Sequence, residues 1–140
     1  AGSPFPSKPI RIVVPFPAGG SVDALARLIR EHGTTTVIQG NCGIGVAPCK
    51  PEHRDISMHD LVVLEGISYE TMKAGIPWEF QTFPEYLDYV KRRGLGINVA
   101  AFVPLGPLRR FELGDEANKR AATPEETAAF EKIRTAPLEA

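Results

Sequence analysis

The sequence predicts an α/β fold: three βα units with a parallel sheet. Three observations lead there. Short apolar or β-branched runs recur near residues 10–14, 34–38 and 97–103. Each is followed by a stretch of helical spacing with its own start and stop signals. Glycines and prolines, thirteen of each in 140 residues, punctuate the boundaries. Strands that alternate with helices pair in parallel through right-handed crossovers.

In the first unit, Ile10, Ile12, Val13 and Val14 read as a buried strand closed by Pro15 and Pro17. Ser21 suits an N-cap, and Asp23 falls in the first turn, where the helix dipole favours an anion. Val22, Leu25, Leu28 and Ile29 share one helical face, and Gly33 suits the stop. The loop between strand and helix contains Gly19 and Gly20. Together with Ser21 and Asp23 it reads either as a carboxylate- or phosphate-binding loop at a helix N-terminus or as a simple turn.

The second unit opens on Thr35, Thr36, Val37 and Ile38, all β-branched, which favours a buried strand. Gly40, Gly43 and Gly45 follow, so the strand runs into a loop needing unusual backbone angles or close approach. Asn41 and Cys42 sit in that loop, past the strand's carboxyl end, where parallel α/β folds bind ligands and metals. Ser57 or Asp55 is the expected cap of a short helix running to Gly66. Residues 65–78 read as irregular, with Gly75 and Pro77 as breakers and with Met58, Met72 and Trp78 as packing residues.

Thr82-Phe83-Pro84-Glu85 is a capping box, and Phe83, Leu87 and Val90 line one face of the helix it opens. Lys91-Arg92-Arg93 before Gly94 gives that helix a basic end and a stop, the simplest account of the basic triplet. In the third unit, residues 97–103 are nearly all apolar, as in a strand covered on both faces. Pro104 and Pro107 end it, and Leu105 to Arg110 lie on the expected functional rim. Thr123-Pro124-Glu125-Glu126 is a second capping box, opening a helix expected to bury Phe130 and Ile133.

A formal charge of −1 gives nucleic-acid binding little electrostatic support, and no apolar run is long enough for a membrane span. With 43% hydrophobic and 24% charged residues, the chain suits a single domain over 1–140 with its own core. Cys42 is the sharpest chemical candidate, because a thiolate is a soft ligand suited to zinc and flanking glycines allow close approach. Cys49 could join it with His53 in a zinc site, though that ligand spacing is not a recognised one, or in a disulfide if the loop folds back. His32, His53 and His59 otherwise read as exposed polar residues.

Gly33 to Asp55, with its Thr-rich approach to Gly-Asn-Cys-Gly, resembles the second-strand region of N-acyl-D-amino-acid deacylases, a branch of the metal-dependent amidohydrolases. The likeness continues through Leu64-Glu65-Gly66, Ala74 to Trp78, Thr82 to Leu87, Asn98 to Pro104 and Ala122 to Glu126. Residues 4–30 instead resemble the start of solute-binding receptors of tripartite tricarboxylate transporters, on Lys8 to Phe16 and Pro17-Ala18-Gly19-Gly20. The chain therefore reads as a chimera: a receptor-like β-loop-α segment at 4–30 and part of a TIM-type amidohydrolase barrel at 31–140.

The deacylase resemblance implies that Cys42 is a zinc ligand. It also implies a zinc-activated water that cleaves the amide of an N-acyl-D-amino acid. The family's His-x-His motif, two later histidines and catalytic Asp have no counterpart here, and Leu105 stands where a His is usual. No catalytic residue is assigned, and the chain is expected to be inactive alone. The receptor resemblance implies carboxylate binding by Gly19, Gly20, Ser21 and Asp23. A fusion product with no selected function is the third reading. The implied partners are a small-molecule N-acyl amino acid or carboxylate, with self-association through uncovered sheet edges. The two parent families point to different compartments, the cytoplasm being favoured over the periplasm.

Overall fold

The computed structural model describes residues 32–93 and 98–135. They form an α/β arrangement that is mostly helical, with one two-stranded parallel sheet. The first expected strand and helix, and with them Gly19, Gly20, Ser21 and Asp23, lie outside the described residues.

Strand β1 is Thr36–Gln39 and strand β2 is Asn98–Ala101. They pair in register, Thr36 opposite Asn98 and Gln39 opposite Ala101. The ladder extends one residue each way, Asn98 N–H donating to Thr35 O (2.9 Å) and Phe102 N–H to Gln39 O (2.9 Å). Both strands were expected to be buried. Instead Ile38 is 65% exposed and Phe102 54% exposed, because two strands leave each other's outer edge and faces uncovered among the described residues.

Between the strands run three helices: α1 (Arg54–Glu65), α2 (Tyr69–Gly75) and α3 (Phe83–Arg93). A single 3-10 turn, Pro51–His53, leads into α1, so the helix starts ahead of Asp55 and Ser57 and takes its cap from neither. Gly66 ends it in the left-handed region at φ 65°, the conformation a side chain disfavours. Helix α2 lies in the stretch read as irregular. It has seven residues, too few for a periodic signal, and Met72 anchors it against Met58 and Leu61 of α1.

The capping box of α3 is formed as expected. Glu85 N–H donates to Thr82 Oγ1 (3.4 Å), while the Thr82 and Gln81 amides donate to Glu85 Oε2 (2.9 and 2.8 Å). Those amides hold the Glu85 carboxyl below its ordinary range. Phe83 and Phe80 are buried with Ala47, and Tyr86 meets Phe80 edge-on. Val46, Ile76 and Trp78 pack against both this cluster and the Met58–Leu61–Met72 cluster, joining them into one core.

After β2 comes a helix absent from the sequence reading, α4 (Leu105–Leu113), then a 3-10 turn, Gly114–Glu116, and α5 (Pro124–Thr135). Pro107, read in the sequence as closing the strand, falls in the first turn of α4, where no intrahelical N–H is needed, so the helix tolerates it. Helix α5 packs on α4, yet Phe130 and Ile133 are only half-buried rather than core.

The Thr123 box of α5 is closed by Glu126 N–H to Thr123 Oγ1 (3.2 Å) and Thr123 N–H to Glu126 Oε2 (2.8 Å). Arg120 grips the same carboxylate through Nη1 (2.8 Å) and Nη2 (2.7 Å).

Phe83→Ala should cost about 3–5 kcal/mol, read by urea unfolding, because a side chain only 3% exposed leaves a cavity behind. The Arg120 guanidinium, then the Thr123 amide, lower the Glu126 carboxyl to about 2. Its contribution to α5 is therefore whole above the unfolded value near 4.5 and lost as pH falls toward 2. An NMR titration should show the Glu126 carboxyl and the Thr123 amide moving together in that window, and not above it.

Candidate functional site

Parallel pairing places the carboxyl ends of β1 and β2 side by side, so the Cys42 loop meets the start of α4. The loop begins with a turn, Gly43 N–H donating to Gly40 O (3.0 Å), with Gly40 at φ 88° and Gly43 at φ 77°. A Cβ on Gly40 would lie 2.7 Å from Phe102 O, and one on Gly45 3.0 Å from the Pro104 ring. The close approach inferred from the glycines is thus one to the Phe102 backbone at Gly40 and to the Pro104 ring at Gly45. Gly106 N–H completes the contact by donating to Gly43 O (2.9 Å).

Cys42 sits at the tip of the turn, exposed and free, with only a long sulfur contact to Ile44 O at 4.0 Å. Cys49 is buried and free; its thiol meets Lys50 O at 3.5 Å and Ser57 Oγ at 3.6 Å. Burial pushes the Cys49 thiol above its ordinary value. The two cysteines therefore occupy opposite environments and form neither a disulfide nor, with His53, a metal cluster.

Among the described residues no group of three or more His, Cys, Asp or Glu side chains can hold a metal. The Cys42 thiol suits one ligand position of a zinc site, but a catalytic zinc needs about three protein ligands. The residues described do not by themselves fit the ion.

The histidines lie elsewhere. His32 is exposed. His59 is exposed too, stacked on the Tyr69 ring at 4.6 Å with Asp55 3.9 Å away. His53 departs from the expectation of exposure: it is half-buried against Gly114, and its Nδ1 makes no hydrogen bond among the described residues.

Beside the Cys42 loop opens a cleft of about 270 Å³, bounded by Gly43, Ile44, Val63, Pro107 and the Asp60–Arg110 pair. Arg110 is 5% exposed; its Nη2 donates to Asp60 Oδ2 (2.6 Å) and its Nη1 to Gly114 O (3.1 Å). This pair fastens α4 to α1. The sequence placed Arg110 on the functional rim, but its burial has no sequence signal, since nothing marks Asp60 as its partner fifty residues away.

Over 103 residues the chain is 36% identical to a D-aminoacylase of Alcaligenes xylosoxydans xylosoxydans, a match covering 74% of this chain and 19% of that protein. Over 46 residues it is 48% identical to the UPF0065 protein in the tcbD-tcbE intergenic region of Pseudomonas sp. (strain P51). Over the same length it is 39% identical to Protein BugT of Bordetella pertussis. Each of these two matches covers 29% of this chain and 14% of the relative. The chain thus spans about a fifth of the D-aminoacylase and less of the other two. No family model matches it, and no solved structure does.

Iodoacetamide should label Cys42 in the native protein and Cys49 only after unfolding, as mapped by peptide mass. Equal labelling of both under native conditions would contradict the burial of Cys49.

Proposed function

We propose that the chain is one part of a zinc-dependent hydrolase acting on the amide bond of N-acyl-D-amino acids, in which Cys42 is one zinc ligand. The observation that carries this reading is the glycine-framed turn presenting a free, exposed thiol at the carboxyl end of a parallel strand. The partial similarity to a D-aminoacylase supports the substrate class. In this reading residues 31–140 are part of a TIM-type barrel and residues 4–30 supply the first βα unit of the same domain. The exposed Ile38 and Phe102 support it, since a longer sheet would cover them. A second copy of the chain covering the same residues would give the self-association expected from the sequence.

A metal-bound water needs further ligands and a base, and the described residues bring neither to Cys42. The chain alone is therefore expected to show no turnover.

A second reading rests on a separate observation, the similarity to the UPF0065 and BugT proteins. There the function is carboxylate binding by Gly19, Gly20, Ser21 and Asp23.

Zinc content decides between them. Metal-free protein titrated with zinc should bind the ion weakly through its incomplete ligand set, and Cys42→Ala more weakly still. Equal binding by the two proteins would overturn the hydrolase reading. A rise in melting temperature with citrate, abolished by Asp23→Ala, would then establish the carboxylate reading.

A further inference from the structure

The turn that carries Cys42 is held from outside by the corner between β2 and α4. Gly40 abuts Phe102 O, Gly45 abuts the Pro104 ring, and Gly43 O accepts the Gly106 amide. The third contact differs in kind. Gly106 lies in the first turn of α4, where N–H groups lack an intrahelical carbonyl. Its amide finds that partner in the Cys42 turn (2.9 Å). A Cβ at Gly106 would lie 3.1 Å from the same oxygen, tighter than ordinary packing allows. The residue therefore both donates the bond and leaves the space in which it forms.

We propose that Gly106 is the positioning residue for Cys42: its amide and its missing side chain fix the turn that presents the thiol. The inference rests on the proposed role of Cys42, but not on zinc being bound. Helix α4 is a firm base for this work. Leu108 and Leu113 are buried, and the buried Arg110 is tied to Asp60 of α1. Because the helix cannot easily yield, a side chain at position 106 must displace the turn instead. Cys42 is the residue immediately before Gly43, so it moves with the displaced carbonyl.

The test uses the full chain, metal-free. Gly106→Ala replaces glycine with a better helix former, so its melting temperature should not fall. The amide resonances of Cys42 and Gly43 should nevertheless shift, and the rate of Cys42 alkylation by iodoacetamide should change severalfold. Gly45→Ala, which presses on the turn at the Pro104 ring, should move the same amides. Gly75→Ala, with nothing within 4 Å of its Cβ position, should change neither readout. Unmoved amides and a wild-type alkylation rate in Gly106→Ala would overturn the proposal, as would an equal change in Gly75→Ala. Failure of the hydrolase reading shows separately, as zinc binding that Cys42→Ala does not weaken.

Discussion

The parallel pairing of Thr36–Gln39 with Asn98–Ala101 is the constraint on which the rest depends. Antiparallel strands would send the two following loops to opposite ends of the sheet. Parallel strands send them to the same end, at the cost of a long crossover. That crossover carries α1 to α3, and its helices and connecting segments together contribute most of the buried core among the described residues. The register fixes the detail: with Gln39 opposite Ala101, the next residues, Gly40 and Phe102, are forced together. Gly40 has no room for a side chain because the Phe102 carbonyl oxygen would lie only 2.7 Å from its Cβ.

The crossover is held by a short segment between α2 and α3 rather than by a large hydrophobic layer. Ile76 and Trp78 touch both buried clusters, and Trp78 does so from the left-handed region at φ 52°. For a bulky residue this conformation costs on the order of 1–3 kcal/mol. Arg54 offsets part of that cost: its Nη2 donates to Trp78 O (3.1 Å) and its guanidinium lies 5.4 Å from the indole centroid. The ion pair between Asp60 and Arg110 plays the matching part for α4. Its two partners are unequal: removing Asp60 leaves the buried Arg110 guanidinium without its carboxylate, whereas removing Arg110 leaves an Asp60 that is 39% exposed and can meet water.

Features with a local physical cause were legible in the sequence. Both capping boxes formed at the residues that spell them, because Thr and Glu three apart satisfy each other's orphan amides without help from the rest of the chain. The Gly40–Gly45 loop was legible for the same reason, since glycine there signals close approach. Features set by distant partners were not. Helix α2 exists because Met72 finds Met58 and Leu61. Helix α4 was not anticipated, because Pro104 and Pro107 read only as the end of a strand, yet a proline in a helix's first turn leaves no intrahelical bond unmade. Apolar strands signalled burial, yet Ile38 and Phe102 are exposed, because burial belongs to the sheet's neighbours and not to the strand.

If Cys42 is the zinc ligand proposed above, the exposed sheet and the missing ligands beside it have one physical origin. In a parallel sheet each strand delivers one loop to the carboxyl edge, so a site there collects its side chains strand by strand. Two strands deliver two loops. One supplies a thiol, and the other supplies an amide and a wall that hold the thiol in place. Every further strand that covered Ile38 or Phe102 would bring another loop to the same rim. On the proposed reading, covering the hydrophobic face and completing the ligand set of Cys42 are therefore a single requirement.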